Sequence, residues 1–339
     1  MFFDEAHKID EIVQSHFSPR IDVNITDKLM TLSRFLSKHG LLSTSFTKGR
    51  VNSLVNELMT GNKSEVYSAI KEFDHILKGL NRLRKGANKY VKTRYGKSTV
   101  PKDWQKSFTT FDLIKDMHCK FDDYLELISR VGIDKMVLDQ GETESKFMCV
   151  EESSMIKRYL HDRADFKVFM SATIGDPRAF VKIMGITNAK FIRLDNNFNY
   201  DKSPVVFVNR HKLSFREREA SLPKVIKILD QIINKHKGQR GIIHCGSYDF
   251  MNYIKRNSKH TFRLMDYEGS KEKGDMLELF KKKDDAILMG PSLLEGLDLK
   301  DDVSRFQIFF KVPYPHLGNP LIKAKMQTSN EWYDWKTGI

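Results

Sequence analysis

Cysteine is scarce in this 339-residue chain: Cys119, Cys149 and Cys245 are the only three, odd in number and far apart. Their spacing offers no Cys-x-x-Cys metal pair and no disulfide framework, and fits buried thiols in a reducing compartment. Long apolar runs are missing too. No stretch approaches the about 20 apolar residues that a membrane-spanning helix needs, and no basic start followed by an apolar segment marks a signal peptide. A cytoplasmic chain without a membrane partner is expected. Internal repeats and low-complexity tracts are absent, and 40% apolar with 30% charged residues makes a folded chain the default rather than disorder. Acids are outnumbered, 44 against 57 Lys plus Arg, and the net charge of +13 favours a polyanionic partner, nucleic acid before membrane.

The texture of the chain changes along its length. Residues 24 to 135 read as mostly helical, with Val66, Ile70, Phe73, Ile76, Leu77 and Leu80 spaced for one helix face. From about residue 166 short apolar runs alternate with helical patterns. Phe166–Met170 and Pro204–Val208 read as strands, as do Gly241–Cys245, Ala286–Met289 and Phe306–Phe310. Phe180–Met184 before Gly185 reads as a helix with its C-cap, and Ser221–His236 as a helix with Pro223 early and Gly238 after its end. This alternation predicts an α/β fold with a parallel sheet.

In parallel sheets chemistry collects at the carboxyl ends of strands, and there the sequence places its unusual residues. Ser171-Ala172-Thr173 follows the first run, His244-Cys245-Gly246-Ser247 the third, and Gly290-Pro291-Ser292-Leu293-Leu294-Glu295-Gly296-Leu297-Asp298 the fourth. Against Met1 stands Phe2-Phe3-Asp4-Glu5-Ala6-His7, an apolar pair delivered into paired carboxylates. Such a pair at a strand end suits a site in which one carboxylate holds Mg²⁺ and the next handles an attacking water.

Taken in order, these residues resemble superfamily 2 helicases of the DinG/XPD type. The set is DEAH at Asp4–His7, SAT at Ser171–Thr173 with Phe180 and Gly185 after it, a motif IV-like run Ile242–Ser247, and a motif V-like Glu295-Gly296-Leu297-Asp298. Lys311-Val312-Pro313-Tyr314-Pro315, with Gly318-Asn319-Pro320, is similar to the proline-bearing segment that follows. Each word alone is weak; five in the family's order are specific.

The resemblance implies RecA-like parallel sheets with an incomplete first domain. Residues 1–20 would be a remnant of that domain, 21–150 an arch-like helical insertion, 151–195 the return to the first domain, and 196–339 a second RecA-like domain ending before motif VI. It implies an ATP-dependent DNA helicase using ATP and Mg²⁺ and moving 5′ to 3′ on single-stranded nucleic acid, DNA before RNA. By the same resemblance Asp4 is the metal carboxylate, Glu5 positions and deprotonates water, and His7 couples nucleotide state to the facing domain. Ser171 and Thr173 relay toward the nucleic acid, although a helix N-cap would use the same residue types, which Asp176 or Thr173 could supply. Ser247 and Ser292 are candidates for phosphate hydrogen bonds, and Glu295, Gly296 and Asp298 for nucleotide or interdomain contacts. His244 reads as a packing histidine.

Between Lys78 and Lys106 ten cations face one acid, Asp103, which accounts for +9 of the chain's +13. Arg82, Arg84, Lys85, Lys89, Lys92 and Arg94 lie there, with Tyr90, Tyr95 and Trp104 interleaved. Cations that track a backbone, with aromatics for base stacking, grip single strands without sequence preference; a solvated helix face with core aromatics reads equally well.

Departures from the family pattern are informative. No Gly-x-x-x-x-Gly-Lys-[Ser/Thr] phosphate loop, four-cysteine iron–sulfur region or Gln-x-x-Gly-Arg-x-x-Arg segment occurs in these residues. The expectation is therefore a partial chain from motif II to just past motif V, without an iron–sulfur cluster. It would hydrolyse ATP poorly alone and need polypeptides that supply the phosphate loop and the arginine motif. The alternative is a non-catalytic single-strand-binding protein on a helicase scaffold.

Overall fold

The computed structural model describes the chain except residues 43–45, 97–99, 152, 196–200, 202, 209–210, 268–269, 292–296, 298, 313, 329–331, 333–335 and 337–339, and the side chains of 270–273. Two compact units divide it: Met1–Arg193 with Pro315–Ile339, and Leu194–Tyr314.

In the first unit β1 (Phe2–Phe3) leads into α1 (Ile9–His16), β2 (Arg20–Asp22), α2 (Ile25–Lys38) and α3 (Lys48–Thr60). Two long helices follow, α4 (Lys63–Tyr95) and α5 (Lys102–Val131). A capping box starts α4: the Asn62 side chain accepts from the Ser64 and Glu65 amides, and Glu65 accepts from the Asn62 amide at 2.8 Å. Gly96, at φ 66°, ends it in a conformation that a side chain would resist. The pair is an antiparallel hairpin, as Phe73 packs on Phe121 at 5.9 Å and Tyr90 on Trp104 at 5.4 Å.

The helical reading of 24–135 holds, a 3₁₀ turn at Ile133–Lys135 closing it, but the expected 21–150 insertion is not helical throughout. β3 (Met136–Gln140) and β4 (Glu144–Cys149) form a hairpin inside the 21–150 segment and, with β2, an antiparallel sheet in the order β2-β4-β3. Met136 and Val137 are both buried, as are Phe147, Met148 and Cys149, so the period-2 alternation that marks a strand is missing from the sequence. Tyr124 of α5 pins this hairpin by donating its hydroxyl to the Met148 carbonyl at 2.9 Å.

After the hairpin come α6 (Ser153–Tyr159), β5 (Val168–Phe169) and α7 (Pro177–Ile183). β5 pairs in parallel with β1, Phe2 opposite Val168 and Phe3 opposite Phe169. Their rings stack at 4.9 Å and Phe169 meets buried Phe180 of α7 at 5.8 Å.

The second unit is the parallel α/β fold that the alternation predicts. α8 (Arg218–Lys235), β6 (Gly241–His244), α9 (Tyr248–Asn257), β7 (Leu264–Met265), α10 (Ser270–Lys282), β8 (Ile287–Gly290) and β9 (Phe306–Phe309) give one sheet in the order β7-β8-β6-β9, with every pairing parallel. Gly241 is required where it stands: a Cβ there would lie 2.4 Å from the Phe306 ring. α8 begins at Arg218, ahead of the expected Ser221, and takes Pro223 inside it. Pro204–Val208 is not a strand. Val205, Val206 and Phe207 are 81%, 77% and 86% exposed and find no neighbouring strand among the described residues; β-branched propensity alone supplies no hydrogen-bonding partner. The chain then returns to the first unit, where α11 (Pro320–Thr328) packs Leu321 against Val137 and Met148. The expected 196–339 segment is thus shared between the two units.

Arg263, 2% exposed, ties the amino end of the second sheet together. It donates to the carbonyls of Asp285, Ile233, His236 and Gln239 at 2.8 to 3.0 Å and ion-pairs with the Asp285 carboxylate at 2.6 Å. Arg263→Met leaves those buried carbonyls without their donor, while Asp285 keeps the Gly238 amide at 2.7 Å, and is expected to cost about 1–3 kcal/mol in the urea unfolding of the second unit; no measurable loss would contradict this role.

Within the α4–α5 hairpin the Asp74 carboxylate meets His118 Nδ1 at 2.6 Å. Burial pushes Asp74 above the usual carboxylate range, with the His118 bond opposing. A raised folded-state value makes the native state bind more protons between the unfolded and folded values, so the Asp74 contribution to stability falls as pH rises through that window. Asp74→Asn should therefore gain on the parent protein in urea midpoints as pH rises above about 4, the ordinary carboxylate value; a gap that stays constant or narrows would contradict it.

Candidate active site

The DEAH and SAT turns, 164 residues apart in sequence, meet at the carboxyl ends of β1 and β5. The ladder continues past the paired residues: Met170 N–H donates to Phe3 O at 2.8 Å and Ala6 N–H to Met170 O at 2.9 Å. Ala6 is buried, which sets the turn into the body of the unit and leaves Asp4 and Glu5 exposed.

Glu5 is left-handed at φ 50°, a conformation that costs a side-chain-bearing residue about 1 kcal/mol. The turn aims its carboxylate back at His7, with Oε2 3.2 Å from Nδ1. The same nitrogen lies 2.8 Å from Ser171 Oγ. Ser171 Oγ in turn accepts from the Thr173 amide at 3.1 Å. With Nδ1 protonated, its hydrogen is shared by a carboxylate of the DEAH turn and a hydroxyl of the SAT turn. Asp4 Oδ1 accepts the Glu5 amide at 2.9 Å.

The capping alternative for the SAT hydroxyls falls to Asp176. Its carboxylate accepts the Arg178 amide at 2.8 Å at the start of α7, and that bond holds it below the usual carboxylate range. Ser171 and Thr173 are thereby released from the helix end.

An Mg²⁺ ion fits this turn in one sense only. No group of three or more His, Cys, Asp or Glu side chains that could hold a metal occurs among the described residues. A single exposed carboxylate suits an ion that keeps most of its waters and takes phosphate oxygens, not a protein cage.

In the second unit three strand ends come side by side, because β6 is flanked in register by β8 and β9. Cys245 N–H donates to Gly290 O at 2.9 Å and Phe310 N–H to His244 O at 3.1 Å. Ser247 caps α9, its hydroxyl accepting the Phe250 amide at 3.2 Å. His244 is a packing residue as read: 6% exposed, stacked on Phe309 at 4.4 Å, Nε2 3.2 Å from Gln307, and held below the usual imidazole range by burial. Burial likewise pushes the Cys245 thiol up to about 12, as expected of an inert thiol. Ser292, Glu295, Gly296 and Asp298 lie outside the described residues.

The basic segment divides by residue. Lys78, Arg82, Lys85, Lys89 and Lys92 are exposed at helical spacing along one face of α4, over about 21 Å at 1.5 Å per residue. Arg94 is exposed beyond them, whereas Arg84 turns to Asp112 of α5 at 2.5 Å and braces the hairpin. Base stacking by Trp104 does not hold. It is 2% exposed and packed by Phe35, His39 and Tyr90, so it belongs to the core. No helix among the described residues is long and apolar enough to cross a membrane.

Sequence reading gave no sign of Lys336, Trp332 and Asp10, which meet beside the DEAH turn. Asp10 reads as an ordinary first-turn acid, and nothing near it in sequence names its partner.

Residues 229–337 match the helicase C-terminal domain family. The chain is 30% identical over 167 residues to the ATP-dependent DNA helicase YoaA of Haemophilus influenzae, covering 47% of this chain and 26% of that protein. It is 21% identical over 344 residues to YpvA of Bacillus subtilis, named a probable ATP-dependent helicase, covering 95% of this chain and 50% of that protein. Among solved structures it is similar to an XPD helicase, with TM-score 0.52 and 14% identity over 99% of this chain and 59% of that one. S. tokodaii Xpd4 gives TM-score 0.53 and 12% identity over 99% and 64%. The chain thus spans half or less of the relatives it matches and about three-fifths of the solved chains. In its ordered motifs, in the matched helicase C-terminal region and in a fold shared with XPD, the chain resembles DinG/XPD-type helicases of superfamily 2.

Proposed function

We propose that this chain is part of an ATP-driven motor that moves along single-stranded DNA. The observation that carries the reading is the single imidazole nitrogen of His7 flanked by Glu5 and Ser171, since it gives a hydrolytic turn a direct contact to a second motif. When bound, Mg²⁺ and ATP supply the electrophilic phosphoryl group and the charge that stabilises its transfer. Asp4 would hold the metal, and Glu5 would orient a water and take its proton. His7 would pass the change through Ser171 to Thr173. Residues 1–20 and 151–195 would serve as first RecA-like domain, 21–150 as insertion, and 196–339, with Ser247, Ser292, Glu295, Gly296 and Asp298, as second RecA-like domain.

A completing polypeptide is part of the proposal. The phosphates need a loop that these 339 residues do not contain. β1 and β5 pair only with each other among the described residues, and Phe2 and Phe166 are 73% and 76% exposed. Parallel sheets are normally covered on both faces, so this pair suits added strands.

The 339 residues assayed alone are expected to hydrolyse Mg²⁺-ATP at less than about one-thousandth of the rate reached with polypeptides bearing the phosphate loop and arginines, since an arginine finger alone contributes 10³–10⁵. Ordinary DNA-stimulated rates from these residues alone would contradict that. In the complemented protein Glu5→Gln should lower kcat by about 10²–10⁴-fold with ATP still bound.

For the α4 stripe, five phosphate contacts give a log–log salt slope of about −3.5 on single strands. Lys85→Ala with Lys89→Ala should bring it to about −2.1, equally for all sequences. An unchanged slope removes the stripe from the interface. Tight, salt-sensitive binding with no nucleotide binding in the complemented protein would favour the non-catalytic alternative.

A further inference from the structure

The turn that carries Glu5 and His7 is gripped from the far end of the chain. Lys336 Nζ donates to the His7 carbonyl at 3.1 Å, to Asp10 Oδ1 at 2.8 Å and to Glu11 Oε1 at 3.0 Å. An ammonium has three donors, and each has an acceptor here. Trp332 Nε1 donates to the other Asp10 oxygen at 3.5 Å, and the Lys325 ammonium lies 5.2 Å over the Trp332 ring.

Burial and field separate this contact from an incidental surface pair. Asp10 is 3% exposed and the Lys336 side chain 13%, so both ends are largely out of water and separating them leaves a charge unpaired. The location is also unfavourable for a cation. Lys336 sits at the amino end of α1, where the helix dipole repels positive charge, so its place is set by the three acceptors rather than by the helix field. The preceding helix α11 has an anchor of its own, Leu321 against Val137 and Met148.

We propose that Lys336 is a positioning residue for the DEAH turn: by holding the His7 carbonyl and Asp10 together it fixes the backbone from which the His7 ring reaches Ser171. The proposal rests on the ATPase reading for its consequence, but its geometry can be tested without hydrolysis. The His7 carbonyl and the His7 ring belong to one residue of a short turn, Ala6–Lys8, followed at once by α1. Releasing Lys336 frees the carbonyl and leaves buried Asp10 without its ammonium, which lets the turn rotate and the Nδ1–Oγ contact lengthen.

The test is nitrogen-15 NMR of the full 339-residue chain with labelled histidine, His7 being assigned by its loss in His7→Gln. Lys336→Met and Asp10→Asn are each expected to shift both His7 ring-nitrogen resonances in the same direction, with Lys336→Arg giving a smaller shift. Leu321→Ala, which loosens α11 without touching the ammonium, should lower the thermal midpoint and leave His7 where it was. If Lys336→Met does not fold, Asp10→Asn against Leu321→Ala makes the same comparison. His7 resonances unmoved by Asp10→Asn or Lys336→Met, or moved equally by Leu321→Ala, would overturn the proposal. Shifted resonances with unchanged ATPase in the complemented protein would keep the positioning role and discard its consequence for hydrolysis, whereas a complemented parent protein with no ATPase would remove the ATPase reading itself.

Discussion

Two residues of parallel ladder, Phe2–Phe3 against Val168–Phe169, hold the candidate site together. Parallel pairing brings two carboxyl ends to the same edge, so the turns that follow must emerge side by side, and here they are the DEAH and SAT turns. A ladder this short has little strength of its own. The stacked rings of Phe3 and Phe169, backed by Phe180, and the amide of Ala6 on Met170 extend it into the body of the unit. Once the two turns are adjacent, the left-handed Glu5 brings its carboxylate to the same ring nitrogen that meets Ser171.

The second unit separates the same two tasks along its sheet. Its amino end is closed by Arg263, which satisfies the carbonyl end of α8 and the loops before β6 and β8 in one buried guanidinium. Its carboxyl end is left to turns: Gly246 in a left-handed conformation, the Ser247 cap and the strand ends at Gly290 and Phe310. Rigidity at one end and polar turns at the other is the arrangement by which open α/β sheets present ligand sites.

How much of this could be read in the sequence follows from the range of the interactions. Strands β6, β8 and β9 of the second unit were legible because each is a short apolar run delivered into a polar turn, whereas the two-residue β7 was not, and the helicity of α4 was legible because its apolar residues recur at helical spacing. The β3–β4 hairpin escaped because its residues are buried on both faces, which erases alternation. Pro204–Val208 has strand composition but no partner, and composition cannot supply one. At the site, the DEAH and SAT residues were legible as words. Trp104 misled because an aromatic among lysines looks the same in sequence whether it faces solvent or Phe35. Lys336 on Asp10 and Arg263 on four carbonyls were invisible, since a long cationic side chain carries no local sign of a partner hundreds of residues away or on the backbone.

The contact between His7 and Ser171 is the point at which all of this can be tried most directly. A double-mutant cycle of His7→Ala and Ser171→Ala, read in the unfolding free energy of the first unit, isolates the pair from each residue's other contacts. The account predicts a coupling of about 0.5–1.5 kcal/mol, as for a part-buried hydrogen bond. Strictly additive effects would mean that the two turns do not meet, and would remove the junction from which the motor reading is built.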